Sequence, residues 1–419
     1  MRRLRRREAV RLLLGSCAVG VAAGCNDSGS GGAPPTDGSQ VPRSNPLALS
    51  RELKRGPYVQ LGSTDSIDII WQTLPGVEGV LEYGPTPELG NRVSSGATGT
   101  THALSLDGLD AASEYYYRIL AGDVPLTSTL RLHTNHADDS GPFKFLVFGD
   151  SGTGSREQMR LAGLINRSDA AFGLHTGDIV YVFGEEENYD PYFFYPYASF
   201  LARSVLYPTF GNHDSLTNQG EPYFRNFHLP RNDRLGTEAF YSFDYGNAHI
   251  ICLNSMDYDG PDSHQRRWLI SDLQRTSKPW KFVFFHMPPY TAGFLNDGGE
   301  KIPLDTESVR RNLIPVFEEF GIDIVFSGHS HSYERTYPLL NGEVAERIPG
   351  PLYSNPPGPI YVVTGGGGAR LLGLDKSPLN ASQALAHHFV EVEINGKELT
   401  GRAIGLDGMP IDEFQIRKD

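Results

Sequence analysis

The sequence predicts a layered α/β domain preceded by a small all-β sandwich. Between residues 47 and 136, short segments of alternating polar and apolar residues are separated by turns, and no helical stretch interrupts them. From residue 141 onwards, buried-strand patterns alternate with helical patterns, which is typical of layered α/β domains. The chain has 419 residues, enough for two or three domains, and its 47 glycines and 29 prolines indicate many loops.

Residues 1–24 have the pattern of an export signal. Five arginines among the first seven residues precede an uncharged stretch of 13 residues, Leu12–Gly24. This stretch is too short to cross a bilayer, which takes about 20 residues. Arg6-Arg7 resembles a twin-arginine signal, and Ala22-Ala-Gly-Cys25 resembles a lipobox, which predicts a lipid anchor at Cys25. An ordinary cleaved signal peptide is the alternative, and both place the protein in the periplasm or at the cell surface.

The composition, the net charge and the number of cysteines limit which partners the protein can bind and which kinds of site it can contain. Residues 25–46 are rich in Gly, Ser and Pro and are predicted to be a flexible linker. The formal charge is −13 and becomes −18 without residues 1–24, which carry six arginines and one glutamate. So acidic a surface argues against nucleic acid as the main partner. Beyond residue 25 the one cysteine is Cys252, in an apolar run, which excludes a disulfide framework and a zinc–thiolate site.

The predicted all-β domain spans residues 47–136. Its predicted strands are Ser66–Thr73, Gly79–Tyr83, His102–Leu106, Glu114–Leu120 and Thr129–His133. The run Leu106-Asp-Gly-Leu109 followed by Tyr115–Tyr117 resembles fibronectin type III domains. This domain contains no cluster of chemically useful side chains.

The second predicted domain spans residues 141–419. Its predicted strands are Phe143–Phe148, Phe172–His175, Ala248–Leu253, Lys281–Phe285, Ile322–Ser327 and Pro359–Thr364, and its predicted helices are Gln158–Ile165, 264–275 and 307–320.

Five apolar segments of this domain end in side chains that can bind a metal. In chain order these ends are Gly149-Asp150, Gly177-Asp178-Ile-Val-Tyr181, Gly211-Asn212-His213-Asp214, Phe285-His286 and Gly328-His329-Ser-His331. Ligands gather at strand ends in α/β sheets. One such end is a weak signal, but five in series are a strong one. Hard oxygen donors combined with imidazoles suit a pair of first-row metal ions. Such a pair can stabilise both the attacking and the leaving oxygen of an in-line displacement at phosphorus.

The five blocks resemble the metallophosphoesterases, and among them the purple acid phosphatases, over residues 143–404. The most discriminating feature is Tyr181, three residues after Asp178, because general metallophosphoesterases lack a tyrosine ligand there. Ser332-Tyr-Glu-Arg335 and Thr364-Gly-Gly-Gly-Gly368 add to the similarity. The resemblance implies a metallophosphoesterase α/β sandwich, and members of this family also carry a preceding fibronectin-like domain.

The resemblance also implies a dinuclear centre bridged by Asp178. It assigns the first ion to Asp150, Asp178, Tyr181 and His331, and the second ion to Asp178, Asn212, His286 and His329. The first set contains two carboxylates and a phenol, which suits Fe(3+). The second set contains the shared carboxylate, an amide and two imidazoles, which suits a divalent ion such as Fe, Zn or Mn.

Two further residues are predicted to act in catalysis. His213, beside the ligand Asn212, is the candidate for stabilising the transition state or protonating the leaving group, and Asp214 is the candidate for orienting it. Many plant members have additional histidines after the block that ends in His286, whereas this chain has Met287-Pro-Pro-Tyr290 there. Tyr290 is the candidate to replace those histidines in contacting substrate.

The sequence therefore predicts an acid phosphatase that cleaves small phosphate monoesters by in-line attack of a metal-bound hydroxide. A phosphodiesterase or nucleotide hydrolase that uses the same metals is the first alternative. An inactive cell-surface binding module is an alternative of another class, and the complete set of ligand types argues against it.

Overall fold

The structure, a computed structural model, describes residues 41–137, 141–231, 234–256, 260–295 and 306–419. The predicted export signal, Cys25 and residues 25–40 of the predicted linker lie outside these described ranges. Among the helices within them, none is both long and apolar enough to cross a membrane.

The N-terminal region is all β, as predicted, but its strands are longer than the sequence pattern indicates. Its strands are β1 Leu53–Gln60, β2 Ser66–Gly84, β3 Asn91–Asp107, β4 Glu114–Ala121, β5 Val124–Pro125 and β6 Leu130–His133. The first two predicted segments form one continuous strand, β2. The first half of β2 pairs with β1 and its second half with β4, while β3 pairs along both halves with register shifts near Val77 and Val80. One hydrogen-bonded sheet thus contains all six strands.

The C-terminal region alternates strands with short helices. Its strands are β7 Phe143–Phe148, β8 Phe172–His175, β9 Val205–Pro208, β10 Tyr241–Tyr245, β11 Ala248–Cys252, β12 Trp280–Phe285, β13 Phe294–Leu295, β14 Ile324–Ser327, β15 Tyr333–Thr336, β16 Leu339–Leu340, β17 Glu343–Val344, β18 Leu352–Ser354, β19 Ile360–Thr364, β20 Gly373–Leu374, β21 Asn380–Ala384, β22 His388–Asn395, β23 Glu398–Gly405 and β24 Pro410–Arg417. Its α-helices are α1 Arg156–Ile165, α2 Glu186–Tyr189, α3 Ala198–Leu201, α4 Glu221–Asn226, α5 His264–Leu273 and α6 Glu307–Glu319; a π-helical turn spans Asp190–Phe194 and a 3₁₀ turn spans Asn218–Gly220.

Two seven-stranded sheets form the centre of this region. One has the order β18-β24-β23-β22-β7-β8-β9, and the other has the order β10-β11-β12-β14-β19-β15-β21. In the first sheet β7, β8 and β9 are parallel, and in the second β11, β12, β14 and β19 are parallel. Phe145 of β7 packs edge-to-face on Phe282 of β12, with ring centroids 5.4 Å apart, so the two sheets share one core. The predicted layered α/β fold is confirmed.

The helices cover the sheets because one face of each is apolar. Helix α1 begins after Ser155, whose hydroxyl accepts a hydrogen bond from the Gln158 backbone N–H, and it buries Leu161 and Ile165. Helix α5 begins in the same way after Ser263. The predicted bounds of α1, α5, α6 and the predicted strands of this region agree with the structure to within about two residues. Strand β9, which places Asn212, is not among the predicted strands.

A buried arginine of the N-terminal region joins that region to the helices beside the sheets. The Arg55 side chain is fully buried and forms ion pairs with Asp190, and with Glu186 at 3.0 Å. It also donates a hydrogen bond to the Asn226 side chain and lies 4.3 Å from the centre of the Phe194 ring. The all-β region is therefore packed against the segment that follows Tyr181.

A second buried ionic group gives the protein a pH-dependent stability. His249 on β11 lies between the carboxylates of Asp244, at 2.6 Å, and Asp272, at 2.9 Å. Burial acts to lower the pKa of His249, but hydrogen bonds to both carboxylates, and their charges, outweigh it and raise the pKa to about 9. An unfolded histidine has a pKa of about 6.5. This stabilisation is therefore complete below about pH 6.5 and is lost as the pH rises through about 9.

We expect the free energy of unfolding, measured by urea denaturation, to decline between pH 6.5 and 9, and to decline less in His249→Asn. His133→Asn, which alters an exposed histidine, serves as the control and should keep the wild-type profile. Identical slopes for His249→Asn and the wild type would contradict this assignment.

Candidate metal centre

The candidate centre lies where parallel strands of both sheets end. Strands β7, β8 and β9 of the first sheet lead to Asp150, Asp178 and Asn212, respectively. Strands β12 and β14 of the second sheet lead to His286 and to the His329–His331 segment. Because the carboxyl ends of parallel strands meet at one edge of a sheet, the two facing sheets bring these side chains together.

One group of predicted ligands surrounds the hydroxyl of Tyr181. This hydroxyl lies 3.1 Å from Asp150 Oδ1, 3.1 Å from Asp178 Oδ2 and 3.2 Å from His331 Nε2. His331 Nε2 is also 3.5 Å from Asp150 Oδ1. The four side chains assigned to the first ion thus meet at the Tyr181 hydroxyl.

A second group surrounds the side-chain oxygen of Asn212. This oxygen lies 2.8 Å from His286 Nε2 and 2.9 Å from His329 Nδ1, and the two ring nitrogens are 3.2 Å apart. Asp178, His286 and His329 each offer a ligand atom within 4.8 Å of the others, and all three side chains are buried.

A single carboxylate oxygen connects the two groups. Asp178 Oδ2 is 3.1 Å from the Tyr181 hydroxyl and 3.4 Å from His286 Nε2. The other oxygen of Asp178 accepts a hydrogen bond from the His213 backbone N–H at 2.9 Å. All seven predicted ligands therefore converge, with Asp178 between the two sets.

Three of the predicted ligands have a left-handed backbone. The φ angles are +56° at Asp150, +54° at Asp178 and +64° at His329. A residue other than glycine pays about 1–3 kcal/mol for such a conformation, which persists at functional sites where the surrounding structure holds it in place. In each case the reversal turns the chain just after a buried strand and aims the side chain into the centre.

Glycines beside the two carboxylates allow the close packing. A Cβ atom at Gly328 would lie 2.5 Å from Asp150 Oδ2, and one at Gly211 would lie 2.2 Å from Asp178 Oδ1. Both distances are shorter than van der Waals contact, so any side chain at these positions would displace a carboxylate.

We expect Gly328→Ala to lower kcat about 100-fold, because a shift of about 1 Å in a catalytic group costs that much. Steady-state kinetics and bound-metal analysis would measure the effect. Gly163→Ala in helix α1 is the matched control, because its nearest neighbouring atom is 3.7 Å away. Wild-type kcat in a folded Gly328→Ala protein would contradict the packing argument.

Backbone carbonyls orient three imidazoles, and sequence reasoning missed all three contacts. His286 Nδ1 lies 2.8 Å from the Thr176 oxygen, His331 Nδ1 lies 2.7 Å from the Arg370 oxygen and His213 Nδ1 lies 2.5 Å from the Val182 oxygen. A carbonyl accepts the Nδ1 proton, so Nε2 faces the centre: it offers a lone pair in the predicted ligands His286 and His331, and in His213 it carries a proton when the ring is doubly protonated. Because every residue has a carbonyl, no sequence signal could have located these contacts.

Asp214 does not hold His213, contrary to the prediction from sequence. Its carboxylate accepts three backbone hydrogen bonds, from Asp178 and Ile179 at 2.9 Å each and from Gly211 at 3.0 Å. The Val182 carbonyl, and not Asp214, contacts His213 Nδ1. Asp214 therefore clamps the two loops that carry Asp178 and Asn212.

The suggested substrate contact of Tyr290 is also wrong. The ring is buried and packs edge-to-face on Tyr361, with centroids 4.7 Å apart. Its hydroxyl faces the turn at Gly342, where a Cβ would lie 3.4 Å away. The Tyr290 side chain therefore belongs to the same buried apolar cluster as Tyr361 of β19.

The electrostatics of the centre favour bound cations. Burial, together with the charges of Asp150 and Asp178, raises the pKa of the Tyr181 phenol. Burial also acts to raise the pKa of Asp178, but the charges of His286 and His213 outweigh it and lower that pKa. Two buried carboxylates beside a partly buried phenol need positive charge nearby. Together with three imidazoles and an amide, this donor set fits first-row metal ions.

Comparison with known proteins agrees with this arrangement. Residues 143–333 match the family model of calcineurin-like phosphoesterases. The chain is 27% identical over 295 residues to a purple acid phosphatase of Glycine max, covering 65% of this chain and 61% of the relative. It is 28% identical over 294 residues to Fe(3+)-Zn(2+) purple acid phosphatase 12 of Arabidopsis thaliana, covering 65% of this chain and 60% of the relative. The matched region thus spans about three fifths of these relatives.

A solved structure has the same fold. The purple acid phosphatase PPD1 from yellow lupin (Lupinus luteus) seeds superposes with a TM-score of 0.75 at 21% sequence identity, over 90% of this chain and 75% of that one. At this identity the similarity establishes the fold. Residues 143–333 thus match calcineurin-like phosphoesterases, and the sequence and fold similarities together support a relationship of this chain to the purple acid phosphatases.

Proposed function

We propose that the protein is a metal-dependent acid phosphatase that hydrolyses small phosphate monoesters. The observation that carries this proposal is the convergence of seven donor side chains into two groups that share Asp178 Oδ2. Such a shared carboxylate suits two ions held about 3.5–4 Å apart. When bound, the ions would supply an activated water and positive charge for the phosphoryl oxygens.

We propose Fe(3+) at the Tyr181 group and a divalent ion, Fe, Zn or Mn, at the Asn212 group. The Tyr181 group offers two carboxylates and a phenol, and the Asn212 group offers mostly neutral donors, so the higher charge belongs with the first. The name of the Arabidopsis relative, which is 28% identical, states an Fe(3+)-Zn(2+) pair.

Side chains of this chain would position the substrate and protonate its leaving oxygen. His213 lies at the edge of the centre, with Nε2 4.0 Å from Asp178 Oδ2 and its side chain partly exposed. Because Nδ1 is engaged by the Val182 carbonyl, Nε2 is the atom available to the leaving oxygen. Asp214 serves this chemistry indirectly, by fixing the loops of Asp178 and Asn212.

The proposal includes export and a lipid anchor at Cys25, on the sequence pattern of residues 1–25. It also includes a domain organisation in which a fibronectin-like domain at 47–136 precedes the catalytic domain at 141–419. The packing of Arg55 against Glu186 and Asp190 supports a fixed arrangement of the two.

Metal analysis combined with two substrates tests the proposed function. We expect two ions per chain, a visible absorption band that Tyr181→Phe abolishes, and faster hydrolysis of para-nitrophenyl phosphate than of its bis ester. A strong preference for the bis ester would favour the phosphodiesterase alternative. Fewer than two ions per chain in freshly purified protein, with neither ester cleaved, would favour the binding module.

A further inference from the structure

The surface beside His213 is formed by two loops that are tied together. One loop is Tyr181–Gly184 and the other is His213–Thr217. The Thr217 hydroxyl donates a hydrogen bond to the Phe183 carbonyl at 2.6 Å, and His213 Nδ1 lies 2.5 Å from the Val182 carbonyl. A Cβ at Gly184 would lie 2.8 Å from the His213 carbonyl, so the two backbones touch. These loops form one continuous wall next to the candidate centre.

This wall carries three exposed apolar side chains. Val182 is 47% exposed, Phe183 is 57% exposed and Leu216 is 55% exposed. Among the phenylalanines whose side chains the structure describes, Phe183 alone is exposed. Burying such a side chain is worth about 1.5–3 kcal/mol, and grouped exposed apolar residues mark binding surfaces.

The wall lies on the side of the centre where a leaving group would depart. The centre of the His213 ring is 4.5 Å from that of the ligand candidate Tyr181, and its Nδ1 is 2.5 Å from the carbonyl of Val182 in the wall. An alcohol whose oxygen reaches His213 Nε2 therefore has its carbon skeleton against this wall. In the hydrolysis the ester P–O bond breaks and the oxygen of water forms the new P–O bond. The departing oxygen takes up a proton from His213 Nε2, and the proton that the attacking water loses restores the histidine.

Charge beside the wall narrows the substrate class. The Glu185 carboxylate lies 3.2 Å from the Phe183 backbone N–H, whereas Glu186 is neutralised by ion pairs with Arg55 and Arg225. The Glu185 carboxylate repels a leaving group that carries further phosphates, whereas an uncharged alcohol is accepted. Apolar contact area and negative charge thus point to the same class of ester.

We propose that Val182, Phe183 and Leu216 form a leaving-group subsite, and that the enzyme prefers phosphate monoesters of uncharged apolar or aromatic alcohols. This inference rests on the proposed phosphatase function.

A series of n-alkyl phosphates from ethyl to hexyl tests the subsite. The leaving alcohols have nearly the same reactivity along this series, while their apolar area increases. We expect kcat/KM of the metal-loaded wild type to rise at least about twofold for each two added methylenes, because each fully buried methylene is worth about 0.8 kcal/mol. The double variant Phe183→Ser/Leu216→Ser should lose this rise along the series.

Met409→Ser, which removes an exposed apolar side chain from the turn before β24, is the matched control and should keep the full chain-length dependence. A wild type indifferent to chain length, or a double variant with an unchanged dependence, would overturn the subsite while leaving the phosphatase function intact. Failure of the wild type to hydrolyse any of these esters, ethyl phosphate included, would overturn the proposed function and the subsite together.

Discussion

Asp178→Asn should lower kcat/KM for a phosphate monoester at least about 1000-fold and reduce bound metal to at most one ion per chain. Asp178 Oδ2 is the atom common to both ligand groups, so one substitution weakens both. Ions bound at the proposed centre would supply several kcal/mol of charge stabilisation in the transition state, and losing about 4 kcal/mol corresponds to a factor of about 1000. Steady-state kinetics and elemental analysis of the purified protein measure the two effects.

The asparagine variant should still fold, because the amide oxygen can accept the hydrogen bond from the His213 backbone N–H. Asp323→Asn is the matched control. Asp323 is also a buried carboxylate, paired with Lys418 at 2.7 Å, but it precedes β14, whereas His329 follows that strand. Asp323→Asn should retain two ions and activity within about twofold of the wild type. Two bound ions and near-normal kinetics in Asp178→Asn would refute the shared-carboxylate arrangement.

Arg55→Met should lower the free energy of unfolding by about 3–5 kcal/mol, which is the usual result of removing one partner from a buried ion pair. The substitution keeps a long side chain but leaves Asp190 and Glu186 without their buried cation. Arg55→Lys should give an intermediate loss, because a lysine keeps the charge but lacks the planar fork that reaches three partners. Urea denaturation measures these differences.

Arg92→Met provides the comparison for a surface ion pair. Arg92 is 45% exposed and pairs with Glu82 and Asp123, so its loss should cost no more than about 1 kcal/mol. A change for Arg55→Met as small as that for Arg92→Met would show that the junction between the all-β region and the helices contributes little to stability.

Much of the candidate centre was predictable because its ligands follow apolar strands. A run such as Phe143–Phe148 identifies a buried strand, and a polar residue directly after it, such as Asp150, lies at the strand's end. The same reasoning located His286 and His329. Strand β9, Val205–Pro208, escaped notice because it contains a proline, which argues against a central strand; in the structure β9 lies at the edge of its sheet.

The orientation of side chains was the weaker part of the prediction. Asp214 and Tyr290 were given roles from their positions next to His213 and after His286, respectively. Neighbours in a loop need not point the same way, and here Asp214 faces backbone N–H groups while Tyr290 faces the core. Both assignments depended on loop conformation, which local sequence specifies poorly.

By itself, the sequence determined the fold class, the positions of six strands and three helices of the second domain, and which side chains can bind metal, because hydrophobic periodicity and residue chemistry are local properties. The tertiary structure alone decided that the five strand ends belong to two separate sheets, that one oxygen of Asp178 joins both ligand groups, and that an apolar wall flanks His213. These features arise from contacts between residues far apart in the chain. Such contacts are set by how the sheets and loops pack, and no local pattern encodes them.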